Sequence, residues 1–382
     1  QSQLCCGHGM PRPRPGAAFA VAQMALRVAT LAAALVTAMP GAAAVGVTRL
    51  IIDTDMSTDV DDVVALCIAH KMEDRGDAKI IAVMHNTGLP MGVGAISVIN
   101  HFYGRDDIPI GAYKGKFDNP MEDHDPWVMH YSAGPYVPTL VQQFAAPIQN
   151  NGQVPDAVEA YREVLAVQPD NSVVIASIGF LGNLANLLAS EPDDHSPLSG
   201  RELVARKVRE VAVMGGRYPD SDQMHYEWNF GGGCQWGSEL CPRTPAWAKA
   251  VVEGWPETVP MTFSGFELGL GVLTGKSIEQ CASKRSPCRR AMELFHKADP
   301  NSPPRPSWDP VTTLYAVHGV QRWGERQRGG HNEVNGTDGA NRWINGPPTH
   351  QSYLALLPGK SDDLARKIDD LLCEAPDHVK YV

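Results

Sequence analysis

From residue 46 onward the chain alternates two patterns of apolar and polar positions. Short continuous apolar runs, "RLIID", "AKIIAVMHN" and "SVVIASIG", are each followed by a stretch with helical spacing, "DDVVALCIAHKM", "GAISVINHFYG" and "FLGNLANLLAS". A strand that is apolar on both sides must be covered on both faces, so the alternation predicts βαβ units and an α/β fold with a central, mostly parallel sheet flanked by helices. Further strands are predicted at "VREVAVMGG", "TVPMTFSG" and "SYLALLP", the last followed by a closing helix, "DDLARKIDDLLCEA". No break in composition divides residues 46–382, which predicts a single domain, and the Pro-rich stretch at 298–310 reads as a loop within it. In open parallel sheets, functional groups gather beyond the carboxyl ends of the strands. Four runs end there in polar or glycine signals: Asp53 to Asp62, His85-Asn86, Ser177 to Gly179, and Met214 to Gly216.

Composition narrows the partners. The 382 residues are 43% hydrophobic and 20% charged, ordinary for a protein with a real core. A net charge of -10 argues against a nucleic-acid polymer or an anionic membrane, both of which reward clustered Lys and Arg, and favours a small neutral or cationic ligand or a metal ion. Residues 1–52 contain no Asp or Glu although 43 acidic residues follow. Within that segment Met24-Ala-Leu-Arg27 precedes "VATLAAALVTAM" and "PGAAAV", the layout of a secretory signal cleaved near Ala44, so residues 1–45 are expected to be removed and the rest secreted. An organellar transit peptide is the alternative, because Arg12, Arg14 and Arg27 without acids suit that class as well. The apolar run is too short for an ordinary transmembrane helix. Among the eight cysteines, Cys234 with Cys241 and Cys281 with Cys288 have spacings that would close small disulfide loops, while Cys67 lies in an apolar helical pattern and reads as a buried free thiol.

The densest chemical signal is "DTDMSTDVDD", with Asp53, Asp55, Asp59, Asp61 and Asp62 inside ten positions. Asp59, Asp61 and Asp62 could cap the helix that follows, but five acids so close repel one another and call for a positive partner. An EF-hand loop counted from Asp53 would place Thr58 and Val64 where Gly and Glu are needed, and fails. A phosphatase of the haloacid dehalogenase type would use "DTDMS" but leaves Asp59 to Asp62 without a role.

The run resembles the aspartate signature of the nucleoside hydrolase family, the inosine-uridine preferring type, in which DxD ends the first strand and DD opens the next helix. "MHN" ending at Asn86, "SIGFLGNLANLL", "VMGG" followed by "YEWN", and "SWDPVTTLYAV" with Asp309 resemble further elements of that family, in its order. The resemblance implies a single α/β domain of Rossmann-like topology and a calcium-dependent hydrolase of the N-glycosidic bond of ribonucleosides, often a homo-oligomer. It implies that Asp55, Asp62, Asp309 and the carbonyl of Ile178 hold Ca2+, with water and two ribose hydroxyls completing the oxygen shell. Asp55 would be the general base and Asp61 would bind a ribose hydroxyl or assist the water, with Asp59 able to replace Asp61 because the run is two residues longer than the common form. Asn86, Glu227 and Asn229 would bond the ribose and Met214 would pack beneath it.

Phe180 and Gly182 stand where the family has Pro and Thr, and Trp308 stands where many members carry a histidine able to protonate the departing base. Trp308 can stack on a base but not serve as that donor. His124, His130 and His225 are donor candidates by location, and Trp127 and Trp228 are stacking candidates. The alternative to an active hydrolase is a calcium-stabilised nucleoside-binding or structural protein of the same fold without useful turnover.

Overall fold

The computed structural model describes residues 46–57, 59–115, 136–219, 223–231, 243–298 and 304–377. In chain order the first half carries β1 (Thr48–Thr54), α1 (Asp61–Asp74), β2 (Ala78–His85), α2 (Gly92–Phe102), β3 (Ile110–Ala112), α3 (Tyr136–Gln143), α4 (Ala157–Ala166), β4 (Val173–Ile178), α5 (Gly182–Ala189), α6 (Gly200–Lys207) and β5 (Val208–Met214). There follow α7 (Thr244–Gly254), β6 (Met261–Ser264), α8 (Phe266–Leu270), β7 (Leu273–Thr274), α9 (Ile278–Cys281), α10 (Pro287–Ala298), β8 (Arg305–Pro306), α11 (Trp308–His318), β9 (Gly324–Arg328), β10 (Gly330–Val334), β11 (Asn341–Asn345), β12 (Gln351–Leu356) and α12 (Ser361–Cys373).

Eight strands form one sheet in the order β3-β2-β1-β4-β5-β6-β12-β9, parallel throughout except for the antiparallel edge strand β9. The period-two alternation of side chains divides the core into two layers. Leu50 and Ile52 of β1 pack with α1, α2, α11 and α12 on one face, and Ile51 packs with α4, α5, α6 and α7 on the other. The chain runs from β1 outward to β2 and β3 and then returns to β4 on the other side of β1. That reversal opens a crevice at the carboxyl ends of β1 and β4, where open α/β sheets bind ligands. Register aligns the strand ends: Thr54 lies opposite both His85 and Ile178, so Asp55, Asn86 and Gly179 emerge side by side at the crevice.

Several sequence expectations change. The Pro-rich stretch is not all loop: Arg305 and Pro306 pair with Thr274 and Leu273 as a short ribbon, and α11 begins at Trp308. β9 and the β10–β11 hairpin have no counterpart in the sequence reading, because "GERQR" and "GHNEV" carry few of the apolar residues that mark a strand. Cys67 is not a free thiol but is bonded to Cys288, and Cys281 is bonded to Cys373 rather than to Cys288. The physical reason is direction: Cys288, at the start of α10, faces α1, while Cys281, at the end of α9, faces α12, so near neighbours in sequence find partners far away. Cys234 and Cys241 lie outside the described residues, as do residues 1–45. Peptide mapping without reductant is expected to recover cross-linked fragments containing Cys67 with Cys288 and Cys281 with Cys373. A Cys281–Cys288 fragment would contradict the pairing.

Candidate active site

The acidic run is divided by the geometry of β1. Within the strand Asp53 points to the α4 layer and Thr54 to the α1 layer, where its hydroxyl donates to Asp62 Oδ1. Asp55 emerges between them and is only partly buried. Asp62, in the first turn of α1, and Asp309, in the first turn of α11, are buried, and one oxygen from each of Asp55, Asp62 and Asp309 lies within 4.8 Å of the others. Gly179 allows this approach, because a Cβ there would come within 2.6 Å of the Asp55 amide nitrogen and 2.7 Å of Asn86 Nδ2.

Charge alone would push this cluster apart. At about 5 Å and an effective dielectric near 20, each carboxylate pair repels by roughly 3–4 kcal/mol. Burial raises the Asp55 carboxyl to about 7, and burial together with the neighbouring acids holds Asp62 and Asp309 well above the usual carboxylate range. Among the described residues no Lys or Arg forms an ion pair with any of the three. Three converging carboxylate oxygens fit a hard divalent cation, which oxygen donors favour, and such an ion would turn the repulsion into attraction.

Asp59 and Asp61 have other partners. Asp59 forms a two-point ion pair with Arg305 of β8, with Arg305 Nε 3.0 Å from Asp59 Oδ1. Asp61 Oδ2 accepts from the backbone amides of Trp308 and Asp309, each at 3.1 Å. It therefore caps α11, a helix 247 residues further along, while the N-terminus of its own helix α1 has no side-chain cap. This bond sets Asp309 beside Asp62. The capping reading of the run is thus right in kind for Asp61 and wrong about which helix is capped.

Around the cluster stand the other expected residues. Asn86 follows β2 and donates through Nδ2 to Asp53 Oδ1 at 2.7 Å. Glu227 is buried, which raises it to about 7, and its oxygens accept from the amides of Gly216 and Asn229 at 3.0 Å and of Phe230 at 3.3 Å. Asn229 Nδ2 donates to the Met214 carbonyl at 3.0 Å and touches its sulfur, so the segment after β5 and the Glu227–Phe230 turn are locked together. Met214 is buried in the α1-side core.

Trp308 gives its indole N–H to the Phe266 carbonyl at 2.8 Å and stacks on the Phe266 ring at 5.4 Å, with Arg305 over its ring. Phe180 and Trp228 lie with ring centroids 6.3 Å apart beside the β4 end and the Glu227 turn. His225 pairs through its backbone with Asn341, 2.8 Å in each direction, and His124, His130 and Trp127 lie outside the described residues. Sequence reasoning missed Asn183, Tyr161 and Arg305. The first two act on Asp53 from the opposite sheet face and the third reaches Asp59 across 246 residues, so no local spacing marks them.

Three carboxylates that could hold a cation thus stand at the switch point of the sheet, where open α/β sheets bind ligands. The profile of the inosine-uridine preferring nucleoside hydrolases matches residues 50–342, and the chain belongs to that family, a family of enzymes. Among solved structures the fold is similar to a plant nucleoside hydrolase (17% identity, 85% of this chain and 99% of that one, TM-score 0.60). It is also similar to the inosine-uridine preferring nucleoside hydrolase of Bacillus anthracis (18%, 85% and 99%, TM-score 0.58) and to the purine-preferring ribonucleoside hydrolase of Gardnerella vaginalis (17%, 85% and 99%, TM-score 0.59). No curated protein sequence matches the chain.

Replacing Asp62 by Asn is expected to weaken divalent-cation affinity by at least about tenfold, whereas Asp59→Asn, whose carboxylate is committed to Arg305, should leave it within roughly threefold. Calorimetric titration after chelator treatment measures both. Equal losses in the two variants would contradict the division of the run.

Proposed function

We propose that the protein hydrolyses the N-glycosidic bond of ribonucleosides, giving ribose and free base, with calcium as the bound cation. The observation that carries this reading is the convergence of Asp55, Asp62 and Asp309 at the carboxyl edge of the sheet in a chain of this family. Asp55, Asp62, Asp309 and the carbonyl of Ile178 would hold calcium, whose six to eight oxygen ligands suit carboxylates brought from separate segments. Calcium supplies, when bound, the positive charge that eases loss of a proton from water and anchors sugar hydroxyls. Asp55, the least buried of the three, takes that proton as general base. Asp61 keeps Oδ1 for a ribose hydroxyl while Oδ2 holds α11. Asn86, Glu227 and Asn229 bond the ribose as its ring flattens toward an oxocarbenium-like state, and Met214 packs beneath it. Phe180 and Trp228 offer the departing base aromatic surface.

A second reading, nucleoside binding without useful turnover, is favoured by one observation: the indole N–H of Trp308 is spent on Phe266, so this position offers the departing base no proton donor. A nucleoside panel assayed for reducing sugar, with and without chelator, separates the two. Hydrolysis that is lost with chelator and restored by calcium is expected. No sugar from any nucleoside at saturating calcium, with thermal stabilisation by the same nucleosides, would favour binding alone.

We further propose that residues 1–45 are a leader and that the mature chain is exported. The two disulfides support this, since such bonds persist in oxidising compartments. N-terminal sequencing of the mature chain is expected to begin near residue 45, and an intact leader would contradict it.

A further inference from the structure

Asp53 sits two residues before Asp55 yet faces the other layer of the sheet. Its Oδ2 accepts from the Tyr161 hydroxyl at 2.7 Å, and its Oδ1 accepts from Nδ2 of Asn86 at 2.7 Å and of Asn183 at 3.3 Å. All four side chains are buried. A carboxylate accepts on both atoms, whereas an amide at this position would aim an N–H₂ at one of these donors, so the residue type follows from the partners.

Because both asparagines give their N–H₂ to Asp53, their Oδ1 atoms must face away from it. Each of those oxygens is buried and has no hydrogen-bond partner among the described residues. A buried acceptor left unpaired costs about 1–3 kcal/mol, so it persists where something else donates to it. Asn86 borders the cation site: its backbone N–H donates to the Thr54 carbonyl at 2.9 Å, and its side chain shares with Asp55 the space kept open by Gly179.

We propose that Asp53, braced by Tyr161, is a positioning residue that fixes Asn86 with its side-chain oxygen presented as the acceptor for a ribose hydroxyl. The inference rests on the hydrolase reading and assigns Asp53 no part in holding the cation. Asp53→Asn would release the Asn86 amide. Tyr161→Phe, a milder change, would loosen Asp53 and carries the same comparison should Asp53→Asn fail to fold.

The test compares a ribonucleoside with its 2′-deoxy and 3′-deoxy analogues. For the ribonucleoside, kcat/KM should fall roughly 10- to 100-fold in Asp53→Asn and less in Tyr161→Phe, while for the analogue lacking the hydroxyl that Asn86 takes it should change within about threefold. Equal losses on all three substrates would overturn the proposal, because a merely structural defect does not distinguish hydroxyls. The side-chain amide of Asn86, followed by 15N NMR, gives a readout independent of turnover: protected from exchange in the wild type, exposed in Asp53→Asn. A wild-type protein that cleaves no nucleoside overturns the hydrolase reading alone. An Asn86 amide unchanged in Asp53→Asn overturns the orientation claim whether or not the enzyme turns over.

Discussion

Three carboxylates held in a volume where they repel one another are the condition to which the surrounding structure answers. Asp55 arrives from the end of β1, Asp62 from the first turn of α1 and Asp309 from the first turn of α11. Bringing them together works against both burial and mutual repulsion, each of which favours a protonated acid over a carboxylate. The opposing forces are visible. Strand register sets Thr54 against Ile178 and so brings Asp55 out beside Gly179, the Thr54 hydroxyl holds Asp62, and the Asp61 carboxylate ties the amides of Trp308 and Asp309 to α1. The result is a group of three carboxylates that could hold a cation.

The same logic explains why an acidic run need not serve one purpose. Five aspartates in ten positions take four separate roles because β1 alternates faces and then ends. Asp53 is drawn into a hydrogen-bond network with Tyr161, Asn86 and Asn183, and Asp59 is paired with Arg305. Asp61 caps a distant helix, and only Asp55 and Asp62 are left to face Asp309. Cys67 adds a covalent tie between α1 and α10, so the helix that supplies two of these acids is anchored on several sides.

How far sequence could reach follows from the range of each interaction. The strands β1, β2, β4, β5, β6 and β12, the central helices and the carboxyl-edge position of the run were readable, since apolar periodicity is a local signal and the sheet rule places the site. Asp309 was readable only through family resemblance. The partner of Asp61 lies 247 residues away and that of Cys67 221 residues away, distances at which spacing carries no information. The edge strand β9 and the β10–β11 hairpin were invisible because their alternation of apolar residues is too weak to separate from loop. The displacement of the expected histidine by Trp308 was readable as a residue, but its consequence was not: only the fold shows the indole N–H committed to Phe266.

A cation shared by Asp55, Asp62 and Asp309 would displace protons from acids that burial holds high. Folded-state carboxyl groups raised in this way bind protons that ordinary carboxylates have already released, so cation binding must expel them. Calorimetric titration of chelator-treated protein with calcium, repeated in buffers of different ionisation enthalpy, measures the effect directly. One ion per chain is expected, with protons released near pH 6, fewer of them from Asp55 as pH rises through about 7, and affinity rising over the same interval. Binding without proton release at either pH, or the same affinity after Asp309→Asn, would contradict it.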